Sequence, residues 1–314
     1  MRVADRQFPV RGPRLAAHFH HGESGMNPGI ERIGILGGSG LYDFDGLVDV
    51  TEHALDTPYG KPSDVIVTGR LGAAEVAFLA RHGRGHRLIP SEVPYRANLY
   101  ALKSLGVRSL LAISAVGSLR EDIAPLDLVL PDQFLDLTRK RESTFFGDGI
   151  VAHVSMAEPT CAALRERTAQ AFEAVALPGV RLHRSSTYAC IEGPAFSTRA
   201  ESAMLRTLGA DIVGMTNMPE ARLAREAQMA YATLALVTDF DCWDAAREPV
   251  SAELAIANLM HNALVAQKIA AALIHTLHAQ PLQSSAHQAL RSALVTPLDR
   301  LSPAQRQRVD VLLR

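Results

Sequence analysis

Residues 231–244 read YATLALVTDFDCWD, and the two halves of this segment differ in character. The first half is a near-continuous apolar run of strand length, which is typical of a strand covered on both faces of a sheet. The second half places Asp239 and Asp241 two residues apart, where that strand should end. Ligands of open α/β sheets bind outside the carboxyl ends of the strands, so these carboxylates indicate a site. A polar turn that closes the strand is the alternative interpretation.

The composition limits the class of protein. The chain has 314 residues and 47% hydrophobic content, which is enough for one large core or two modest ones. Its 32 Lys and Arg residues are balanced by 33 Asp and Glu residues, so no positive field favours nucleic acid. Three widely separated cysteines predict reduced thiols in a cytoplasmic protein rather than a disulfide framework or a metal site. No apolar run reaches the roughly 18 residues that span a bilayer.

The first thirty residues differ from the rest of the chain. Residues 1–30 are rich in Arg, Pro and Gly and contain no apolar block that could form the core of a signal peptide. We expect them to be a mobile extension, and we interpret the histidines at 18, 20 and 21 as solvated rather than as a metal site. Met26 is a candidate for the physiological start, which the intact mass of the native protein would test.

The region from residue 31 to residue 279 alternates strand and helix patterns. This alternation predicts a single α/β domain whose twisted, mixed and mostly parallel central sheet is flanked by helices. Residues 133–148 are predicted to be an irregular polar loop, and residues 280–314 a polar tail with a short helix near 303–313. The predicted strands are 64–68, 75–79, 108–114, 127–131, 187–191, 211–216 and the first half of 231–244, after a short strand at about 32–36. The main predicted helices are 94–105, 160–175 and 251–278.

Cationic and hydroxyl side chains follow several of these strands. Gly37–Gly40 is a glycine-rich turn with Ser39 inside it, and glycines after a strand let backbone N–H groups surround an anion. Arg81 and His82 begin the sequence RHGRGH after another strand, where Arg offers a bidentate fork and His one or two donors. The alternative for the glycine-rich segment is a tight turn without a ligand, and the alternative for the RHGRGH segment is a solvated loop.

Two further hydroxyl residues complete a set that suits phosphate. Ser114 ends one predicted strand, and Thr216 stands ahead of a helix N-terminus, where backbone donors and the helix dipole favour an anion. The glycine-rich turn is not a dinucleotide fingerprint, because Asp43 replaces its third glycine, and no Gly-Lys-Ser/Thr follows it. The candidate phosphate ligands are therefore Ser39, Arg81, His82, Ser114 and Thr216.

A second set combines Phe196 with Asp239 and Asp241. One flat apolar surface and two carboxylate acceptors suit a nitrogen heterocycle. A phosphate site beside a site for a base predicts a reaction in which phosphate attacks the sugar carbon that holds the base. His153 is isolated in the sequence, and the pattern alone favours a structural role for it.

Eight ordered motifs between about residues 32 and 278 resemble the trimeric purine nucleoside phosphorylase family, and more closely its S-methyl-5′-thioadenosine phosphorylase branch. The extension of residues 1–30 lies outside this resemblance. The motifs are IGILGGSGL (33–41), TPYGKPSD (57–64), LARHGRGH (79–86), AVGSLRE (115–121), MAEP (156–159), IEGPAFSTRAES (191–202), GMTNMPE (214–220) and TDFDCW (238–243).

The resemblance implies roles for individual positions. Phosphate would be held by Ser39, Arg81, His82, Ser114, the backbone of Ala115, and Thr216. The nucleoside would be held by Met215 against the ribose, Phe196 stacked on the purine with Ser197 nearby, Asp239 facing N7 and the exocyclic amine, Asp241 supporting the base edge, and His153 near the 5′-substituent. Ala252 and Ala255 stand where some relatives have valines against the methylthio group. These two alanines imply a larger pocket and a less strict preference for methylthio.

The resemblance also implies the activity. Inorganic phosphate would be a co-substrate in the cleavage of S-methyl-5′-thioadenosine to adenine and 5-methylthioribose 1-phosphate, without a metal or organic cofactor. The expected assembly is a homotrimer, or a dimer of trimers. Enzymes of the family that act on 6-oxopurines usually have Asn where this chain has Asp239, so a 6-aminopurine is expected. The alternatives are a phosphorylase with a broader or 6-oxopurine preference, a hydrolase that uses water, and a non-catalytic nucleoside-binding protein.

Overall fold

The structure is a computed structural model that describes residues 31–38, 44, 46–244 and 252–314. The predicted extension of residues 1–30, with Met26, lies outside the described residues, as does Ser39 of the glycine-rich turn. The side chains of Ala252 and Ala255 also lie outside the described part, although the backbone of these two residues is helical.

Strands and helices alternate along the described part of the chain. The strands are β1 (Arg32–Gly37), β2 (Leu47–His53), β3 (Ile66–Leu71), β4 (Ala74–Ala80), β5 (Val107–Ser118), β6 (Leu128–Val129), β7 (Gln133–Asp136), β8 (Leu182–His183), β9 (Thr187–Cys190), β10 (Ile212–Gly214) and β11 (Ala230–Asp239). The helices are α1 (Tyr95–Ser104), α2 (Ala162–Val175), α3 (Arg199–Thr207), α4 (Asn217–Glu226), α5 (Ala252–Ala279) and α6 (Pro303–Leu313).

All of these strands belong to one mixed sheet. Its main path runs β2-β3-β4-β1-β5-β10-β9-β7, and β11, β6 and β8 extend it from β5. The pairs β1–β4, β1–β5, β5–β11, β9–β10, β7–β9 and β6–β8 are parallel. The pairs β2–β3, β3–β4, β5–β10 and β6–β11 are antiparallel. The predicted fold class, a mixed and mostly parallel sheet flanked by helices, is confirmed.

Strand β11 shows why the apolar run at 231–238 forms a strand. All ten of its residues are buried. Tyr231, Ala235 and Val237 pack into one hydrophobic cluster of the core, whereas Ala232, Leu234 and Leu236 pack into another. Successive side chains of a strand point to opposite faces, so an apolar run without alternation is what a strand between two packed layers requires.

Strand β5 changes neighbours along its length. Residues up to Ala112 pair with β1 on one side, and Gly117 and Ser118 pair with β10 on that side. β11 pairs with β5 on the other side from Ser109 to Gly117. In the described part of the chain, the segment 113–116 therefore has a strand partner on one side only. This opening in the sheet lies at the carboxyl end of β1 and positions the site.

Three segments differ from the expectations or extend them. The loop predicted at 133–148 begins with β7, which pairs in parallel with β9. Strand β2 was absent from the predictions because its central residues are exposed and give no apolar signal. The polar tail is built into the domain: Val309 and Leu312 of α6 are buried, and Gln228 Nε2 donates to the carbonyl oxygen of Leu312 at 3.1 Å. None of the described helices is long and apolar enough to cross a membrane.

Candidate active site

A cavity of about 440 Å³ opens at the ends of β4, β5, β10 and β11. This volume lies in the range of small-molecule sites. Ten of the candidate residues line the cavity together with Gly38 of the glycine-rich turn. They are Arg81, His82, Ser114, Ala115, Phe196, Ser197, Met215, Thr216, Asp239 and Asp241. Residues from six separate segments of the chain therefore meet at one edge of the sheet, as ligand sites of α/β proteins do.

His153 is placed elsewhere. It is exposed and is not part of the cavity lining, and its backbone N–H donates to the carbonyl oxygen of Ala293 at 2.8 Å. The contact that the resemblance implies between His153 and the 5′-substituent stays a prediction.

Arg81 lies at the floor of the cavity with 1% of its surface exposed. Its Nε donates to Glu220 Oε2 at 2.6 Å and its Nη2 to Glu220 Oε1 at 3.0 Å. The carbonyl oxygens of Ile113 and Leu36 accept one further hydrogen each, at 3.0 Å and 3.2 Å. The bidentate fork that we expected to face phosphate thus faces a carboxylate, and the described residues leave one Nη1 hydrogen for a ligand.

The pairing with Glu220 also decides the charge of this end of the cavity. Both side chains are almost completely buried. Burial by itself would lower the pKa of Arg81, but the Glu220 carboxylate outweighs it and the pKa is raised. The guanidinium therefore stays charged, and its charge is balanced within the protein rather than left for an anion.

A chain of buried hydrogen bonds continues from Glu220 to Ser114. The Tyr231 hydroxyl lies 2.8 Å from Glu220 Oε1, and Asn217 Nδ2 lies 2.5 Å from the Tyr231 oxygen. Asn217 Nδ2 also donates to Thr233 Oγ1 at 2.8 Å, and Ser114 Oγ lies 3.1 Å from Asn217 Oδ1. Asn217 and Glu220 were not among the residues predicted from the sequence. Met218 lies between them with extended backbone angles (φ −117°, ψ 132°), so helical spacing does not link the two positions.

His82 contributes a neutral ring. Its Nδ1 lies 2.9 Å from the carbonyl oxygen of Leu88, and its ring stacks on that of His86 at a centroid distance of 4.3 Å. Burial, followed by the neighbouring Arg81 charge, lowers the pKa of His82 to about 4. The imidazole is therefore uncharged near neutral pH and cannot supply the positive charge that phosphate sites often use.

Thr216 stands directly before α4 and is 7% exposed. Its Oγ1 is buried and makes no hydrogen bond of normal geometry with any described residue, although the Tyr188 hydroxyl lies near it. A buried hydroxyl without a hydrogen bond of normal geometry costs free energy, and a bound anion could accept its hydrogen. Regular helical backbone resumes only after Met218, which has φ of −117° and ψ of 132°, so the expected helix N-terminus does not lie directly at Thr216.

The opposite end of the cavity holds the two carboxylates. Asp239 is 7% exposed; its Oδ2 accepts from Thr238 Oγ1 at 2.6 Å and its Oδ1 from the backbone N–H of Asp241 at 2.8 Å. Burial raises the pKa of Asp239, and the charge of Asp241 raises it further against the effect of these hydrogen bonds.

Asp241 adopts a left-handed backbone with φ of 50°, which Asp tolerates better than most residues. Burial raises the pKa of its carboxyl, while the nearby Ser202 and Ser197 hydroxyls lower it. Among the described residues, Asp241 Oδ2 and both of these hydroxyl oxygens are buried without a hydrogen bond of normal geometry. This end of the cavity therefore offers acceptors and donors that a polar ligand can satisfy.

Close packing fixes the positions around these carboxylates. A Cβ atom at Gly117 would lie 2.8 Å from Asp239 Oδ1, so a side chain at position 117 would displace the carboxylate. Arg141 donates to the carbonyl oxygen of Met215 and to that of Met218, each at 2.7 Å, and holds the segment beside the cavity. The sequence analysis missed Arg141 because it lies in the loop predicted to be irregular. Phe196 is 49% exposed at the mouth of the cavity.

The described residues contain no group of three or more His, Cys, Asp or Glu side chains placed to hold a metal ion.

The chain is similar to known proteins over most of its length. The family model of the phosphorylase superfamily matches residues 32–275. S-methyl-5′-thioadenosine phosphorylase of Thermosynechococcus vestitus is 54% identical over 282 residues, which cover 90% of this chain and 98% of that protein. The corresponding enzyme of Geobacter sulfurreducens is 46% identical over 282 residues, covering 90% and 97%.

Solved structures show the same likeness. A methylthioadenosine phosphorylase from an antarctic soil metagenomic library aligns with a TM-score of 0.87 and 54% identity, over 91% of this chain and 99% of that one. Methylthioadenosine phosphorylase from Schistosoma mansoni in complex with adenine aligns with a TM-score of 0.79 and 37% identity, over 84% and 99%.

Proposed function

The chain belongs to the phosphorylase superfamily, and we propose that it cleaves S-methyl-5′-thioadenosine with inorganic phosphate, giving adenine and 5-methylthioribose 1-phosphate. The observation that carries this proposal is the buried carboxyl of Asp239, whose pKa is raised, in the same cavity as Arg81 and Thr216. The names of relatives that are about half identical over most of the chain support the same substrate.

In this reaction phosphate attacks C1′ of the sugar while the bond from C1′ to the purine breaks. The transition state resembles a ribosyl cation, and no covalent intermediate forms with the enzyme. Electrons move onto the purine as it leaves, so a protonated Asp239 that shares its proton with N7 stabilises the leaving group. The opposite end of the cavity positions the phosphate, and this orientation lowers the barrier further.

Adenine is the purine that the two carboxylates favour. The 6-amino group is a donor, and a carboxylate of Asp239 or Asp241 can accept from it, whereas the 6-oxo group of inosine offers another acceptor. Hydrogen bonds to charged groups are worth about 1.5–3 kcal/mol, which corresponds to a selectivity of about tenfold to more than a hundredfold.

We also propose a homotrimer in the cytoplasm that needs no metal or organic cofactor, with a dimer of trimers as the alternative assembly. Because His153 lies outside the cavity of its own chain, its predicted contact with the 5′-substituent requires a second copy of the chain. Light scattering coupled to gel filtration would measure the assembly, and a monomer with full activity would exclude this arrangement.

The test of the activity is adenine release from S-methyl-5′-thioadenosine, with and without phosphate, beside adenosine and inosine. We expect release that requires phosphate and is fastest with the methylthio substrate. Release independent of phosphate would indicate a hydrolase, and binding without turnover would indicate a nucleoside-binding protein. A phosphate-dependent preference for inosine would overturn the roles given to Asp239 and Asp241 but keep the family.

A further inference from the structure

We propose that the phosphate end of the cavity selects an anion that carries a proton, because Ser114 and His82 present hydrogen-bond acceptors to it rather than donors. The inference rests on the proposed function, since it concerns the anion that the same cavity would use. It follows from the direction of each hydrogen bond in the buried chain that runs from Arg81 to Ser114.

The direction of these hydrogen bonds is set at Arg81, where the buried chain of hydrogen bonds begins. A guanidinium can only donate, so both oxygens of the Glu220 carboxylate accept from Arg81. A carboxylate has no hydrogen to give, so the Tyr231 hydroxyl must donate to Glu220 at 2.8 Å. The Tyr231 oxygen is then left to accept, and Asn217 Nδ2 and Thr233 Oγ1 are its donors.

The Asn217 amide transmits this direction to Ser114. Both hydrogens of Asn217 Nδ2 are used, one by Tyr231 and one by Thr233. Its Oδ1 therefore faces Ser114 Oγ at 3.1 Å. An amide oxygen can only accept, so Ser114 gives its single hydroxyl hydrogen to Asn217. The Tyr188 hydroxyl also lies near Ser114. Because the Ser114 hydrogen is used by Asn217, the Ser114 oxygen can only accept, from Tyr188 or from a ligand in the cavity.

His82 also presents a hydrogen-bond acceptor, for a reason that does not depend on Ser114. The carbonyl oxygen of Leu88 can only accept, so His82 Nδ1 carries the ring hydrogen. A neutral imidazole has one hydrogen, so Nε2 carries none and also presents a lone pair. Two of the cavity's polar side chains are thus acceptors, and neither His82 nor the Arg81–Glu220 pair adds net charge.

An anion that fits must bring hydrogens of its own. Both protonation states of inorganic phosphate near neutral pH have at least one P–OH group, which can donate to Ser114 Oγ or His82 Nε2. Its other oxygens can accept from the remaining Arg81 Nη1 hydrogen and from the Thr216 hydroxyl. Sulfate has no hydrogen at neutral pH, so its oxygens would face the lone pairs of both side chains.

The experiment compares four anions by calorimetric titration of the whole protein at neutral pH. Phosphate and arsenate carry a hydroxyl; sulfate and monofluorophosphate have a similar size and carry none. We expect the dissociation constant of arsenate to lie within about threefold of that of phosphate. Sulfate and monofluorophosphate should bind at least about tenfold more weakly than phosphate, because a hydrogen bond to a charged group is worth at least about 1.5 kcal/mol. Sulfate or monofluorophosphate binding as tightly as phosphate, or no binding of phosphate, would overturn the inference.

A variant tests the origin of the selectivity. Tyr231→Phe keeps the ring but removes the hydroxyl that fixes the Asn217 amide, so Ser114 can again turn its hydrogen to the cavity. We expect the ratio of the sulfate to the phosphate dissociation constant to fall by about threefold or more in this variant. The fall is smaller than the tenfold preference for phosphate because His82 still presents its acceptor. Tyr59→Phe is the matched control, because its hydroxyl donates to the carbonyl oxygen of Phe145, outside this network. An unchanged ratio in folded Tyr231→Phe would overturn the mechanism.

If Tyr231→Phe does not fold, Ser114→Ala serves instead, because it removes one acceptor and should lower the same ratio. The titrations measure binding without turnover, which separates this inference from the proposed function. Selective phosphate binding without phosphate-dependent adenine release would overturn the function alone. Phosphate-dependent release by a protein that binds sulfate equally well would overturn the inference alone.

Discussion

The two ends of the cavity handle charge in opposite ways. At the phosphate end, Arg81 is paired with Glu220, and the neighbouring hydrogen bonds are arranged before any ligand arrives. At the purine end, no ion pair within the described residues reaches Asp239 or Asp241, and Asp241 Oδ2 makes no hydrogen bond of normal geometry with them, although the Ser197 and Ser202 hydroxyls lie near this carboxyl. The comparison teaches that one end is organised by the protein and the other depends on its ligand. The expected effects of mutations differ accordingly.

The largest effect is expected at the purine end. Asp239→Asn removes the proton that the leaving purine needs, and we expect kcat/KM for S-methyl-5′-thioadenosine to fall by about 10²- to 10⁴-fold. The relative activity toward inosine should rise, because an amide can donate to a 6-oxo group. Steady-state kinetics with both substrates measure this. Unchanged kinetics with the methylthio substrate would remove Asp239 from the reaction.

At the phosphate end the main expected effect is on stability. Glu220→Gln leaves the buried Arg81 charge without its carboxylate, and we expect the free energy of unfolding to fall by about 3–5 kcal/mol. The matched control is Glu226→Gln, which removes a buried carboxylate that accepts from Thr144 and from the backbone of Phe145 rather than from an arginine. Denaturant unfolding compares the two. Equal losses would show that the ion pair has no special weight.

The pH dependence tests the coupling within the purine end. Because burial and Asp241 raise the pKa of Asp239, kcat/KM should fall as pH rises through that raised pKa and the carboxyl loses its proton. Asp241→Asn removes a negative charge and should move this limb of the profile to lower pH. A limb that stays in place in the variant would show that the two carboxylates titrate independently.

A smaller effect is expected from the hydroxyl of Thr216. Thr216→Val removes one hydrogen bond to the charged phosphate, worth about 1.5 kcal/mol at the lower end of the range for such bonds, so KM for phosphate should rise by about tenfold. KM for the nucleoside should not change. Thr168→Val is the control, since Thr168 is also buried but donates to the carbonyl oxygen of Leu164 in α2. A change in KM for the nucleoside alone would contradict the position of Thr216 at the phosphate end of the cavity.

Local patterns in the sequence were sufficient for much of the fold and for several of the residues that line the cavity. The apolar run before Asp239 predicts β11, since burial on both faces leaves a local signal. β2 gave no such signal because its middle is exposed. The glycine-rich, cationic and hydroxyl residues at strand ends predict the cavity because the ends of parallel strands meet at one edge of a sheet.

The partners of these residues could not be predicted in the same way. Arg81 and Glu220 are 139 positions apart, and only the packing of α4 against the sheet brings them together. The sequence therefore predicts that Arg81 lies at the site, but not that its fork is already occupied. The direction of the hydrogen bonds from Tyr231 to Ser114 depends in the same way on contacts between distant segments.

The opening in the sheet beside residues 113–116 has a consequence for hydrogen–deuterium exchange. Residues 109–112 and 117 of β5 have strand neighbours on both sides, so their amides exchange only when the sheet itself opens. The segment with one neighbour should exchange sooner, because one edge of its backbone faces the cavity. Deuterium uptake along β5 would thus report two processes. Uptake in the residues with two strand neighbours would measure opening of the sheet, and uptake in residues 113–116 would measure whether the cavity is occupied.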